Sequence, residues 1–220
     1  QLGAAFSYHP EDGFFHLEAP NLSGTRLLLE EPSVTGTANI IMAAVMAKGT
    51  TTLYNAACEP YIQQLCRMLI RMGAKINGIG SNLLTIEGVT YLGGTTHRML
   101  PDMIEIGSFI GMAAMTKGAV TIKNAAVEQL GIIPEKFRQL GIDVQLNGDD
   151  IHIPEHDIYE IQRYLDGGVL TIYDHPWPGF TPDLLSIVLV TAVQARGSVL
   201  IHRSEEHTSE LQSRGLISYA

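Results

Sequence analysis

Ala43-Ala-Val-Met-Ala-Lys-Gly49, Ala113-Ala-Met-Thr-Lys-Gly118 and Thr191-Ala-Val-Gln-Ala-Arg-Gly197 are three copies of one element. Measured from glycine to glycine they lie 69 and 79 residues apart, and self-similarity at such intervals marks an architecture of repeated supersecondary units. Between the first two copies the match runs on through Asn55-Ala-Ala57 and Asn124-Ala-Ala126, then Met72-Gly-Ala-Lys75 and Leu140-Gly-Ile-Asp143. Leu2-Gly-Ala-Ala5 fits the same closing segment, as the tail of an earlier copy.

Each copy reads as a turn, a helix, a strand, a second helix and a hairpin. The first helices, predicted over 37–48, 104–117 and 183–196, are apolar nearly all round and rich in small residues. Burial on all sides is therefore expected, with Met42, Met46, Met112 and Met115 as core. Each closes on Lys or Arg followed by Gly, a C-terminal stop. The second helix of the first copy places Ile62, Leu65, Cys66 and Leu69 on one amphipathic stripe, and its counterpart starts at Pro134 with Phe137 and Leu140 inward. Leu84 and Ile86, Val120 and Ile122, and Ile151 and Ile153 alternate as half-buried strands, with a hairpin turn at Asn147-Gly148. The expected fold class is α/β, an inside-out α/β barrel of repeated units whose mixed sheets wrap around central helices.

With 220 residues, 45% of them hydrophobic and 17% charged, the chain can bury one large core or two small ones. A net charge of -9 argues against a broad basic face for nucleic acid. The longest uncharged stretches, 33–47 and 184–195, fall short of the ~20 residues of a membrane helix. Gln1 is not an initiator and no signal pattern follows it, so a piece of a cytoplasmic protein is expected. Cys58 and Cys66 lack CxxC spacing and read as reduced, packed thiols. Residues 203–220 look like the translation of a sequencing-library adapter and are set aside as a non-native tail.

Counting back from the three glycines, Ser33 and Asp102 lie 16 residues ahead and Asp183 lies 14 ahead, each just before a first helix. Free N–H groups and partial positive charge at helix N-termini can hold a phosphate even in an acidic protein. Ser33-Val34-Thr35-Gly36-Thr37 suits that role, and so does plain helix capping. No histidine pair has ligand spacing, since Pro154 separates His152 from His156, and Gly78-Ile-Gly80 completes no dinucleotide loop. Asp174-His175 has no serine nucleophile motif beside it. Neither metal nor cofactor is expected.

Thr37-Ala-Asn-Ile-Ile-Met-Ala-Ala44, Asn55-Ala-Ala-Cys-Glu-Pro60, Thr85-Ile-Glu-Gly88, Leu92-Gly-Gly94 and Leu100-Pro-Asp-Met-Ile-Glu105 closely resemble the UDP-N-acetylglucosamine 1-carboxyvinyltransferases, a branch of the enolpyruvyl transferase family. The resemblance runs from about Leu2 to His202, the middle of the family's chain. It implies two domains, 1–100 and 101–202, hinged near Leu100 and Pro101. It also implies transfer of an enolpyruvyl group from phosphoenolpyruvate to the 3'-hydroxyl of UDP-N-acetylglucosamine, by addition and elimination. Asp183, behind Pro182, matches the family's aspartate that takes the hydroxyl proton. Ser33, Val34, Thr35 and Gly36 match the segment at the diphosphate; Glu59 and Asp102 match polar residues near the sugar and the domain junction.

Glu31 stands where many relatives have lysine, Met103 where arginine is frequent, Tyr61 where a second glutamate is common, and Thr181-Pro182 reverses a usual order. The family's acid, a cysteine in a Gly-Cys-x-x-Gly-Ala-Arg-Pro loop, would lie ahead of residue 1, and its phosphate-clamping arginines beyond residue 202. Cys58 is not that cysteine, so the chain as written is expected to be inactive by itself. Two other readings stay open: the shikimate-pathway enolpyruvyl transferase, and a nucleotide-sugar-binding homologue without catalysis.

Overall fold

Strand β3 (Arg26–Leu28), helix α1 (Val34–Ala44) and strand β4 (Thr50–Tyr54) form a crossover that leaves β3 and β4 parallel. The computed structural model describes residues 2–203. Helix α2 (Pro60–Arg71) follows, then the hairpin β5 (Lys75–Asn77) and β6 (Leu83–Glu87), whose second strand pairs antiparallel with β4. The sheet order is β3-β4-β6-β5. Ahead of it stands a separate hairpin, β1 (Ala5–His9) with β2 (Phe14–Glu18). These elements make up a compact unit ending at Met99.

The second unit, from Leu100, repeats the plan. Helix α3 (Met103–Thr116), strand β7 (Val120–Ile122), helix α4 (Ile133–Gln139) and the hairpin β8 (Gln145–Asn147) and β9 (Asp150–Ile153) give a sheet ordered β7-β9-β8, the counterpart of β4-β6-β5. A third copy then opens with β10 (Leu170–Tyr173), helix α5 (Leu185–Ala192) and β11 (Val199–His202), with β10 and β11 parallel as β3 and β4 are. The repeats agree in backbone detail: Asn55 and Asn124 both take positive φ, as do Gly49 and Gly197. In the second copy the left-handed residue is Lys117, the C-cap of α3, one position before Gly118.

In the first unit Ile41, Leu53, Ile62, Cys66, Leu84 and Ile86 close one core. The second buries Ile110, Phe137, Leu140, Ile151 and Ile172. The inward faces of α2 and α4 are those expected, although α4 begins at Ile133. The hairpin turn places Gly148 and Asp149 in the loop, with Asn147 paired to Asp150.

The expectation of first helices buried on all sides is corrected. Met42 and Met46, Phe109 and Met112, and Val190 and Val193 are exposed, the first three methionines among them contrary to their reading as core. Each helix packs on a sheet and on helix surface of its own unit, and the stripe pointing away is left about half exposed. Their small residues do serve close approach: a Cβ built on Gly107 would lie 2.7 Å from Leu184 Cδ1, and one on Gly111 2.7 Å from Ile187 Cγ2. Because 107 faces 184 and 111 faces 187, α3 and α5 run in the same direction. The proposed adapter-derived tail, apart from Arg203, lies outside the described residues.

Candidate functional site

Parallel packing of α3 on α5 puts Asp102 and Asp183 at the same, N-terminal end of one helix pair. Asp102 is spent locally, because its Oδ1 accepts the Ile104 N–H at 2.8 Å and caps α3. Asp183 sits in the 3-10 turn Pro182–Leu184 ahead of α5, exposed, and its carboxylate caps neither the turn nor the helix. The difference arises from Pro182 and from Leu184. The proline supplies no N–H and fixes the turn, and the buried Leu184 against Gly107 directs its neighbour Asp183 outward.

In the first unit Ser33 is the N-cap of α1, its Oγ accepting the Gly36 N–H at 3.1 Å. The Thr37 N–H goes to the Ser33 carbonyl at 2.9 Å, and no bond holds the N–H groups of Val34 and Thr35 among the described residues. These two donors stand at the positive end of an eleven-residue helix. The buried Thr37 hydroxyl accepts the Ala57 N–H at 2.9 Å, which ties the Asn55-Ala-Ala57 loop and hence Glu59 to the first turn of α1. Glu59 occupies the N-cap position of α2, and its side chain makes no capping bond there.

Beside Glu59, burial and the Glu59 charge raise the Cys58 thiol above its ordinary value, in that order of importance. Cys66, wholly inside the core, is pushed up to about 11. Neither is in a disulfide, and neither is poised as an acid or nucleophile near neutral pH. Cys58 is half-buried, so alkylation should remain slow at pH 7 and keep accelerating beyond pH 9. Removing the neighbouring charge with Glu59→Gln should speed labelling at pH 8, while burial keeps the thiol above its ordinary value; mass-spectrometric alkylation rates check this.

The departures from the family pattern acquire distinct meanings. Met103 is buried in the core of the second unit, so it is a packing residue rather than a lost surface contact. Tyr61 packs against the first core, and Glu31 is exposed. Asp174 is buried, the His175 N–H bonds to the Phe180 carbonyl at 2.9 Å, and a Cβ on Gly131 would lie 2.6 Å from the Trp177 ring. The Asp174–Phe180 loop is thus pinned on the segment before α4, a contact that no motif announces. Arg71 at the end of α2 contacts His97 Nδ1 at 3.2 Å, another link not readable from spacing. No group of three or more His, Cys, Asp or Glu among the described residues suits a metal, and no described helix is long and apolar enough to cross a membrane.

Among solved structures, the enolpyruvyl transferase NikO from Streptomyces tendae matches with a TM-score of 0.73 at 17% identity, covering 94% of this chain and 50% of that one. The EPSP synthase from Acinetobacter baumannii gives 0.61 at 20%, covering 91% and 45%. At these identities they show the fold, and it is the one the repeats imply. Among curated proteins, UDP-N-acetylglucosamine 1-carboxyvinyltransferase of Bacteroides thetaiotaomicron is 66% identical over 202 residues, and that of Porphyromonas gingivalis is 62% identical over the same length. The alignments cover 92% of this chain, which spans just under half, 46%, of those relatives. The EPSP synthase (3-phosphoshikimate 1-carboxyvinyltransferase) family matches over residues 1–208, and the chain belongs to that family.

Proposed function

We propose that the polypeptide containing this chain transfers the enolpyruvyl group of phosphoenolpyruvate to the 3'-hydroxyl of UDP-N-acetylglucosamine, releasing phosphate, in the cytoplasmic step that opens peptidoglycan synthesis. The observation that carries the reading is the Asp183 carboxylate, exposed at the shared end of α3 and α5 and unused for capping. The names of the relatives at 62% to 66% identity favour the nucleotide-sugar acceptor over shikimate 3-phosphate.

In this reading Asp183 accepts the proton of the sugar hydroxyl as its oxygen bonds to C2 of phosphoenolpyruvate, while a proton adds to C3 from an acid outside this chain. Loss of a proton from C3 then restores the double bond as the C2–O bond to phosphate breaks. Pro182 fixes the turn that presents Asp183. Ser33, Val34, Thr35 and Gly36 bind the diphosphate through the N-terminus of α1, with Glu59 and Asp102 as polar contacts to the acceptor. The segments 1–100 and 101–202 act as parts of two domains that close about Leu100 and Pro101 and exclude water.

The test is phosphate release by the complete polypeptide. Turnover of phosphoenolpyruvate should require UDP-N-acetylglucosamine and should not occur with shikimate 3-phosphate. Turnover with shikimate 3-phosphate alone would overturn the acceptor assignment. Binding of UDP-N-acetylglucosamine without any turnover would replace the transferase by a binding protein.

A further inference from the structure

Four residues join β3 to Ser33, the cap of α1, whereas seven join β10 to Thr181, the cap of the turn that carries Asp183. The longer connection folds into a closed loop. The His175 N–H bonds the Phe180 carbonyl at 2.9 Å across its base, and the Gly179 N–H bonds the Pro176 carbonyl at 2.8 Å, which puts Trp177 at the corner of a four-residue turn. Only glycine fits at 179, because a Cβ there would overlap Cβ of His175. Asp174 and Phe180, the two feet of the loop, are 2% and 1% exposed, so both are set in the core.

The tip is held as well. The half-buried Trp177 ring lies over Gly131, where an added Cβ would stand 2.6 Å from Cη2 and 3.0 Å from Cζ3. Gly131 takes a φ of 53°, and Leu130 and Ile133 on either side of it are buried. The indole thus rests on backbone that is itself anchored in the core, and glycine supplies both the left-handed conformation and the room for the ring. An indole makes a large contact through two rotatable bonds, so little freedom is lost in holding it. Asp183 follows Phe180 by three positions. Pro182 restricts the turn between them, and beyond Asp183 the buried Leu184 packs against Gly107. Asp183 itself is exposed and caps neither the turn nor α5. Its placement is therefore inherited from the segments on either side.

We propose that Trp177 and Gly131 form a clamp that positions Asp183 for proton transfer, with Trp177 acting through the loop and the turn rather than by touching substrate. The proposal rests on the reading of Asp183 as general base. Ser33 gives the contrast within the same chain: reached by the short connection, it is held by its own capping bond to the Gly36 N–H and has no such loop ahead of it. Misplacing a reacting group by about 1 Å costs up to about 10²-fold in rate, so releasing the tip of the loop is enough to be read in kcat.

The experiment is steady-state kinetics of the complete polypeptide with phosphoenolpyruvate and UDP-N-acetylglucosamine. Trp177→Ala should lower kcat about 10- to 100-fold while both KM values stay within about twofold of wild type, and Trp177→Phe should recover most of the loss. Gly131→Ala, which drives the ring off from the other side, should reproduce the fall, and combining it with Trp177→Ala should cost little more. In the Asp183→Asn background Trp177→Ala should cost nothing further, since the group it positions is already gone. An unchanged kcat in Trp177→Ala, a raised KM at unchanged kcat, or a full additional loss in the Asp183→Asn background would overturn the clamp. If Trp177→Ala does not fold, Gly131→Ala with and without Asp183→Asn decides alone by the same criteria. Failure of the underlying reading looks different: Asp183→Asn would itself turn over at the wild-type rate, which removes the base and the clamp with it.

Discussion

Asp183→Asn in the complete polypeptide should lower kcat by about 10²- to 10⁴-fold, the usual contribution of a positioned general base. The amide keeps the size of the side chain and cannot take the hydroxyl proton. Because Asp183 is exposed and caps neither the 3-10 turn nor α5, the substitution removes no structural bond. Melting temperature and nucleotide-sugar affinity should therefore stay near wild type, separating chemistry from folding. Asp102→Asn is the useful contrast, since asparagine also caps helices well. It should leave stability nearly unchanged, and any loss of rate should be small beside that of Asp183→Asn. Steady-state kinetics with both variants, read as kcat against KM, check the pair of expectations.

Gly88→Ala should be the most destabilising single-methyl change in the first unit. A Cβ built there would stand 1.6 Å from the Ala47 carbonyl oxygen, a backbone atom with no rotamer to escape through. Gly88 N–H also bonds the Gly49 carbonyl and Val89 N–H the Val45 carbonyl, both at 2.9 Å. Relief would thus require parting the end of α1 from β6. The cost should be about 3 kcal/mol, a fall in melting temperature of roughly 10–20 °C for a domain of this size. Gly94→Ala, whose added Cβ would meet nothing within 4 Å, should be close to neutral. Thermal unfolding of the two variants provides the comparison. The glycine that closes the Thr85-Ile-Glu-Gly88 motif is thereby explained by close backbone approach rather than by chemistry.

The order of elements was legible because composition and period change sharply along each copy. The all-apolar helices, the amphipathic stripe of α2 and the alternating strands each leave a separate mark. Helix ends were less legible. Stops were expected at Lys48 and Arg196, yet α1 ends at Ala44 and α5 at Ala192. Carbonyls past those points turn to partners far away in sequence. Lys48 accepts the Gly24 N–H and Arg196 the Ile161 N–H, and isolated parallel bridges join Ser23 to Lys48 and Glu160 to Arg196. Such competition between helical and cross-chain hydrogen bonds has no local signature. Nor does an apolar helix surface state how many neighbours will cover it, which is why Met42, Phe109 and Val190 were misjudged as interior.

The candidate site divides in the same way. Ser33, Asp102 and Asp183 were placed by counting from the repeat glycines, and all three do precede first helices. Which of them is free to act was not legible, because capping depends on side-chain geometry that a shared position leaves open. Ser33 and Asp102 cap, and Asp183 does not. The meaning of Met103 likewise needed burial, since one residue along a helix start separates a surface contact from the core.

The most direct test of enolpyruvyl transfer follows the oxygen. The complete polypeptide would be given phosphoenolpyruvate and UDP-N-acetylglucosamine carrying ¹⁸O at the 3'-hydroxyl, and the products weighed by mass spectrometry. Attack of that hydroxyl on C2 with C–O cleavage leaves the heavy oxygen in an enol ether of the sugar and none in the released phosphate. A 3'-phosphorylated sugar, or a product lacking the enolpyruvyl group, would contradict the account.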